Sequence, residues 1–194
     1  EQCWRHFGLK GELDRTPFDV AAFGAAAAAD NTPRLGLICG TENDPAKRWP
    51  VERWRALIEA ILAENPQARI LLFGTARDQV ITAQVAAGFG AERVRDRAGQ
   101  TGLVDFAREL AGCTVLACND TGGMHLANAL GVPVVGVYGP TNPVRTGPFF
   151  EAPAAIVQPP GCPATGGAPI AEVGVESVLE KVRGWLFASD GHSS

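Results

Sequence analysis

The segment CTVLACNDTGGMHLANALGVPVVGVYG, residues 113–139, decides the fold class. It opens as an apolar run of strand length, breaks at Asp120-Thr121-Gly122-Gly123, continues as a short apolar helix that stops at Gly131, and resumes as a second apolar run. Strand, helix and strand in that order, with the strands apolar throughout rather than alternating, read as a βαβ unit buried on both faces of its sheet.

The same alternation extends in both directions. Apolar runs begin at Arg34 (RLGLICG), Ala68 (ARILLFG) and Glu92 (ERVRD), and later at Val132 (VPVVGVYG) and Ala154 (AAIVQ), with helix-like segments over 50–64, 77–88, 103–112, 122–130 and 175–187 and a long loop after Gly139. In the first of these segments Trp54, Leu57, Ile58, Ile61 and Leu62 recur at three- and four-residue steps, and Pro50 suits a first helical turn. The expected architecture is α/β: a Rossmann-like, doubly wound parallel sheet of about six strands. Residues 34–188 form that domain, residues 1–33 read as a linker or hinge with an alanine run, and residues 189–194 as a disordered tail.

Composition narrows the partners. With 46% hydrophobic residues the chain can bury a substantial core, and no apolar run approaches the ~20 residues that span a membrane. A net charge of −4 with scattered Lys and Arg offers no basic face for nucleic acid. The five cysteines (Cys3, Cys39, Cys113, Cys118, Cys162) form no C-x-x-C pair and have no metal-ligand spacing, which fits a reduced, cytoplasmic setting and no metal site.

In a sheet of order 3-2-1-4-5-6, strands one and four are neighbours where the winding reverses, and ligands bind beyond their carboxyl ends. The loops there are GTENDPAKRWP (40–50) and NDTGGMH (119–125). Thr121 is placed to cap the helix carrying His125, Gly122 and Gly123 let backbone approach a ligand, and a helix amino terminus favours an anion. Lys47 and Arg48 add full positive charges between Pro45 and Pro50. Taken singly these features have plainer readings. Asp-Thr-Gly is an ordinary capped turn, His125 a core histidine, Lys-Arg a solvated pair, and Trp49, Trp54 and Trp185 are packing residues. Their meeting at one switch point is what points to a diphosphate site.

PAKRWPVERWRALI and NDTGGMHLANALGVPVVGVYGPTNPVRTGP resemble the carboxyl-terminal half of glycosyltransferase family 9, the ADP-heptose:lipopolysaccharide heptosyltransferases, over roughly residues 34–187. The resemblance implies one half of a two-domain GT-B enzyme, this half binding the nucleotide-sugar donor without metal or other cofactor. It implies that Lys47 contacts the donor phosphates and stabilises the leaving group, with Thr41 and Arg48 in the same loop. Asp120, Thr121, Gly122, Gly123 and His125 would grip diphosphate and sugar, and Asp78 would contact the adenosine ribose; Asp78 also reads as a helix-start charge. The implied partner is a lipid-linked saccharide acceptor held by an amino-terminal domain, with the whole protein associated peripherally with the inner face of the cytoplasmic membrane.

The implied reaction is inverting displacement at the anomeric carbon. No residue of the chain is assigned as the base for the acceptor hydroxyl, so the chain by itself is expected to bind donor and not to turn over. The sequence departs from the family pattern at CGTEND, at Gly123 and in PPGCPATGGAP, which leaves the sugar open. A nucleotide-sugar epimerase-like enzyme and a non-catalytic nucleotide-sugar-binding module are the alternatives. A dinucleotide dehydrogenase lacks support, because no G-x-G-x-x-G follows the first strand.

Overall fold

A computed structural model describes residues 14–19, 32–42 and 44–187. The alanine run and the tail at 189–194 lie outside the described residues. Six strands, β1 (Arg34–Ile38), β2 (Arg69–Phe73), β3 (Val94–Asp96), β4 (Val115–Asn119), β5 (Val134–Val137) and β6 (Ala154–Val157), form one parallel sheet in the order β3-β2-β1-β4-β5-β6. This is the doubly wound order expected from the sequence. Leu35 stands opposite Ile70 on one side and Val115 on the other, so β1 and β4 share the centre of the sheet.

The helices are α1 (Val51–Glu64), α2 (Gln79–Ala86), α3 (Leu103–Ala111), α4 (Gly122–Ala129), α5 (Pro143–Thr146) and α6 (Val175–Leu186). One face of the sheet packs against α1, α2 and α6 through Trp54, Leu57, Ile58, Ile61, Val85, Val178 and Val182. The other packs against α3 and α4 through Leu110, Met124 and Ala127, with Ile38, Phe73 and Leu116 contributed by the strands. Covering on both faces is why β4 is buried at every position and reads as an unbroken apolar run. Trp49 and Trp54 are core residues packed edge to face with centroids 4.8 Å apart, and Trp185 lies partly buried against the same core.

Two details differ from the sequence reading. The long loop after β5 contains α5, whose start is fixed by Asn142 accepting from Val144 N at 3.0 Å with Pro143 in the first turn. And within the expected linker, residues 14–19 lie against the domain. Phe18 N donates to Ala129 O at 2.7 Å, Glu151 N to Arg15 O at 2.8 Å, and the Arg15 guanidinium sits 5.2 Å above the Phe149 ring.

Candidate functional site

The reversal of winding between β1 and β4 opens a cleft of about 770 Å³ at the carboxyl end of the sheet, a volume suited to a small organic ligand. Segments after four strands line it: 40–42, 44 and 47 after β1, 74–78 after β2, 99–106 after β3 and 120–125 after β4, with Ile38 at the end of β1. Thr146 closes one side from α5.

The β1 loop turns through a short 3-10 segment, Pro45–Lys47, that Asp44 starts by accepting from Ala46 N at 2.9 Å. Lys47 comes off this turn into the cleft, where Nζ lies 3.0 Å from Asp120 Oδ2; the carboxylate is 8% exposed and the lysine 28%. The solvated-pair reading therefore fails for Lys47. Arg48 behaves differently. The backbone turns extended at this residue, which is not among those lining the cleft, and its Nε and Nη2 donate to Thr41 Oγ1 and O at 3.3 and 3.0 Å. It braces the loop through Thr41, which does line the cleft. Thr41 lines the cleft and is nearly buried, but its hydroxyl donates to Asp44 O at 2.8 Å.

Across the cleft, α4 begins at Gly122 with Thr121 in the N-cap position. The Thr121 side chain makes no cap hydrogen bond, contrary to the expectation from sequence, and leaves the first-turn amides uncapped by it; the residue lines the cleft. Amides at a helix start have no intrahelical acceptor and carry roughly +0.5 of an elementary charge between them. A Cβ on Gly123 would meet the Ile38 Cδ1 methyl and push that side-chain tip aside, while a Cβ on Gly122 would meet nothing within 4 Å. His125, one turn along, is exposed at the cleft edge and is not a core histidine.

Asp120 also faces Tyr138, whose hydroxyl donates to Thr146 O at 2.9 Å and lies 3.5 Å from Asp120 Oδ1. Burial, reinforced by the Asp120 charge, pushes the Tyr138 hydroxyl well above the usual phenol range, so it stays a neutral donor. Asp78 is on the cleft floor and 8% exposed, yet its Oδ2 accepts from both Thr75 N and Thr75 Oγ1 at 2.8 Å. That reciprocal cap fits its reading as a helix-start acid. Thr75-Ala76-Arg77-Asp78 carries the capping signature in plain sequence.

Sequence reasoning missed Thr75, Thr101, Leu103 and Phe106, which also line the cleft, because beyond the two switch-point loops it singled out only Asp78. Their signal is positional: they follow the carboxyl ends of β2 and β3. Tyr138 was passed over as a strand residue, and Asn119 as the first residue of its loop. Among the described residues no group of three or more His, Cys, Asp or Glu is arranged to hold a metal ion.

Fold and site together define a Rossmann-like domain with a cleft at its topological switch point, where Lys47 meets the amino terminus of α4. The model of glycosyltransferase family 9 (heptosyltransferase) matches residues 7–165, and the chain belongs to that family. It is 41% identical over 129 residues to the lipooligosaccharide heptosyltransferase 2 of Haemophilus ducreyi, covering 64% of this chain and 36% of the relative. Among solved structures it is similar to Escherichia coli ADP-heptose lps heptosyltransferase II, with TM-score 0.71 and 26% identity over 96% of this chain and 50% of that one. It is also similar to E. coli heptosyltransferase WaaC with ADP, with TM-score 0.73 and 25% identity over 93% and 53%. The chain thus spans about a third of the length of that curated relative and about half of the solved chains.

Proposed function

We propose that this chain is the donor-binding domain of an inverting glycosyltransferase that moves heptose, or a related sugar, from an ADP-sugar to a lipopolysaccharide inner-core acceptor. The observation that carries the reading is the Lys47 ammonium, held at 3.0 Å by Asp120 in a cleft that also receives the amino terminus of α4. Family membership and the ADP named with one solved neighbour support the choice of nucleotide.

When the bond to the anomeric carbon breaks, negative charge builds on the β-phosphate. Lys47 and the α4 amides are fixed before that charge develops, so stabilising it requires no reorganisation. Lysine has three donor hydrogens, so it can keep Asp120 while binding a phosphate oxygen. Asp120 then cancels part of the lysine charge in the empty cleft and offers an acceptor to sugar hydroxyls. Gly122 and Gly123 supply amides without side-chain bulk, and His125 and Thr121 are placed at the edge for the sugar. The phosphates are bound by protein groups, without a metal. Thr41 and Asp78 shape the walls, and Arg48 acts on the site through Thr41.

The acceptor base is assigned outside this chain. Of the four cleft carboxylates among the described residues, Asp78 is engaged by Thr75, Asp120 by Lys47 and Asp44 by its own turn, while the fourth, Glu42, is exposed; placing the base elsewhere rests on the family resemblance. The acceptor is a lipid-linked saccharide bound by an amino-terminal domain, with residues 1–33 as the connecting segment. The site of action is the cytoplasmic face of the inner membrane; no helix of the described residues is long and apolar enough to cross one.

The test is calorimetric titration of the chain with ADP, with UDP as comparison. ADP binds better than UDP, and Lys47→Ala weakens it roughly 10- to 100-fold, the loss of a charge-assisted hydrogen bond of about 1.5–3 kcal/mol. No binding at millimolar ADP, or binding indifferent to Lys47→Ala, overturns the reading. Full transferase turnover by the isolated chain overturns the assignment of the base.

A further inference from the structure

Asn119 links the two switch-point loops, and we infer that it is the positioning residue that holds Lys47 against Asp120 for donor binding; the inference rests on the diphosphate reading of the cleft. Asn119 ends β4 and is completely buried. Both ends of its amide are used. Oδ1 accepts from Trp49 N at 3.1 Å, and Nδ2 donates to Cys39 O at 2.8 Å.

The placement of these partners gives the two bonds their consequence. Cys39 is the first residue beyond β1, where the Lys47 loop departs. Trp49, two residues after Lys47, is where that loop returns to the core. Asp120 is the residue after Asn119. One planar group therefore fixes both ends of the lysine loop to the root of the aspartate, and it brings together side chains 73 residues apart in sequence. Trp49 is anchored from its other side as well, its Nε1 donating to Val173 O at 3.0 Å and its ring edge-on to Trp54. With Trp49 fixed, the position of Lys47 depends on where the Asn119 amide holds the backbone.

The chemistry needed is a neutral donor and a neutral acceptor at one end of a short side chain. Asparagine supplies both. Aspartate keeps the acceptor for Trp49 N but sets a lone pair against the Cys39 carbonyl, and alanine removes both bonds. The amide carries no net charge, is buried and does not line the cleft, so it is not itself a contact for an anion there. Its effect on a diphosphate passes through Lys47.

A double-mutant cycle tests this: ADP affinity is measured for the wild-type chain, Asn119→Ala, Lys47→Ala and the double variant, with thermal unfolding of each. The expected result is roughly 10-fold weaker binding for Asn119→Ala alone and less than about 2-fold further loss when it is added to Lys47→Ala, the non-additivity of residues acting as a unit. Additive losses overturn the inference and leave only a structural role. Absence of ADP binding by the wild-type chain overturns the diphosphate reading, and this inference with it, before any variant is compared. Should Asn119→Ala not fold, amide exchange in the wild-type chain decides. Independently of any variant, the Trp49 N–H of the wild-type chain exchanges as slowly as amides of the central strands; rapid exchange overturns the link.

Discussion

Gly40 sits where the chain leaves β1 and has no room for a side chain: a Cβ there would fall on the Asp78 carboxylate and 3.0 Å from Asp78 Cβ. Gly40→Ala is expected to displace Asp78, break its reciprocal cap with Thr75, and cost about 1–3 kcal/mol, the range for overpacking a tight site. Thermal unfolding reads the loss; at roughly 2–4 °C per kcal/mol for a chain of this size, an unchanged Tm contradicts it. Residue identity alone did not reveal this contact, nor which member of Lys47-Arg48 enters the cleft. Both are basic and adjacent, and they part where the 3-10 segment ends at Lys47 and the backbone turns extended at Arg48. Asn119 was equally hard to read: an asparagine at a strand end looks like a turn residue until its two partners, 70 and 80 positions away, are brought to it.

At the level of elements, the exit of β5 is crossed by the 3-10 segment Ile170–Glu172, which places the Val173 carbonyl against the Trp49 indole. A Cβ on Gly139 would lie 2.6 Å from Ile170 Cα, and backbone cannot swing aside as a side-chain tip can. Gly139→Ala should therefore lower Tm by several degrees, while Gly122→Ala, open to solvent at the start of α4 and gaining helix propensity, should leave Tm level or raised. Equal behaviour of the two variants in a thermal melt would refute the crossing as a packing constraint. The longer elements were legible because burial on both faces writes continuous apolar strands and three-to-four spacing into the sequence. The brief α5 was equally encoded, in Asn142-Pro143, but a cap without a following apolar period is easily taken for a turn.

For the whole molecule, the two faces of the sheet carry separate apolar layers, and the three cysteines of the strand region divide between them, Cys39 on one and Cys113 and Cys118 on the other. All three are buried, and burial pushes each thiol up, that of Cys113 to about 12. Since the thiolate is the reactive form, these three should resist a thiol reagent at neutral pH in the native chain and react after unfolding, while the part-exposed Cys162 reacts at once. Mass spectrometry of the labelled native protein checks this; rapid native labelling of Cys39, Cys113 or Cys118 would mean the layers open readily. An Arg183–Glu64 ion pair links α6 to α1 on the surface, and residues 14–19 bind along the end of α4 and the 149–151 segment.

The sequence by itself determined the α/β class, the order of elements, the switch point and the two loops that meet there. These follow from local periodicity and from the chirality of βαβ crossovers, which leave few topologies open. Only the tertiary structure decided that Lys47 faces in and Arg48 out, that Asp78 spends an oxygen on Thr75, that Thr121 leaves its helix uncapped, and that Asn119 joins both loops. Those outcomes depend on side-chain directions and hydrogen bonds between residues far apart in the chain, and no local pattern of residue types records them.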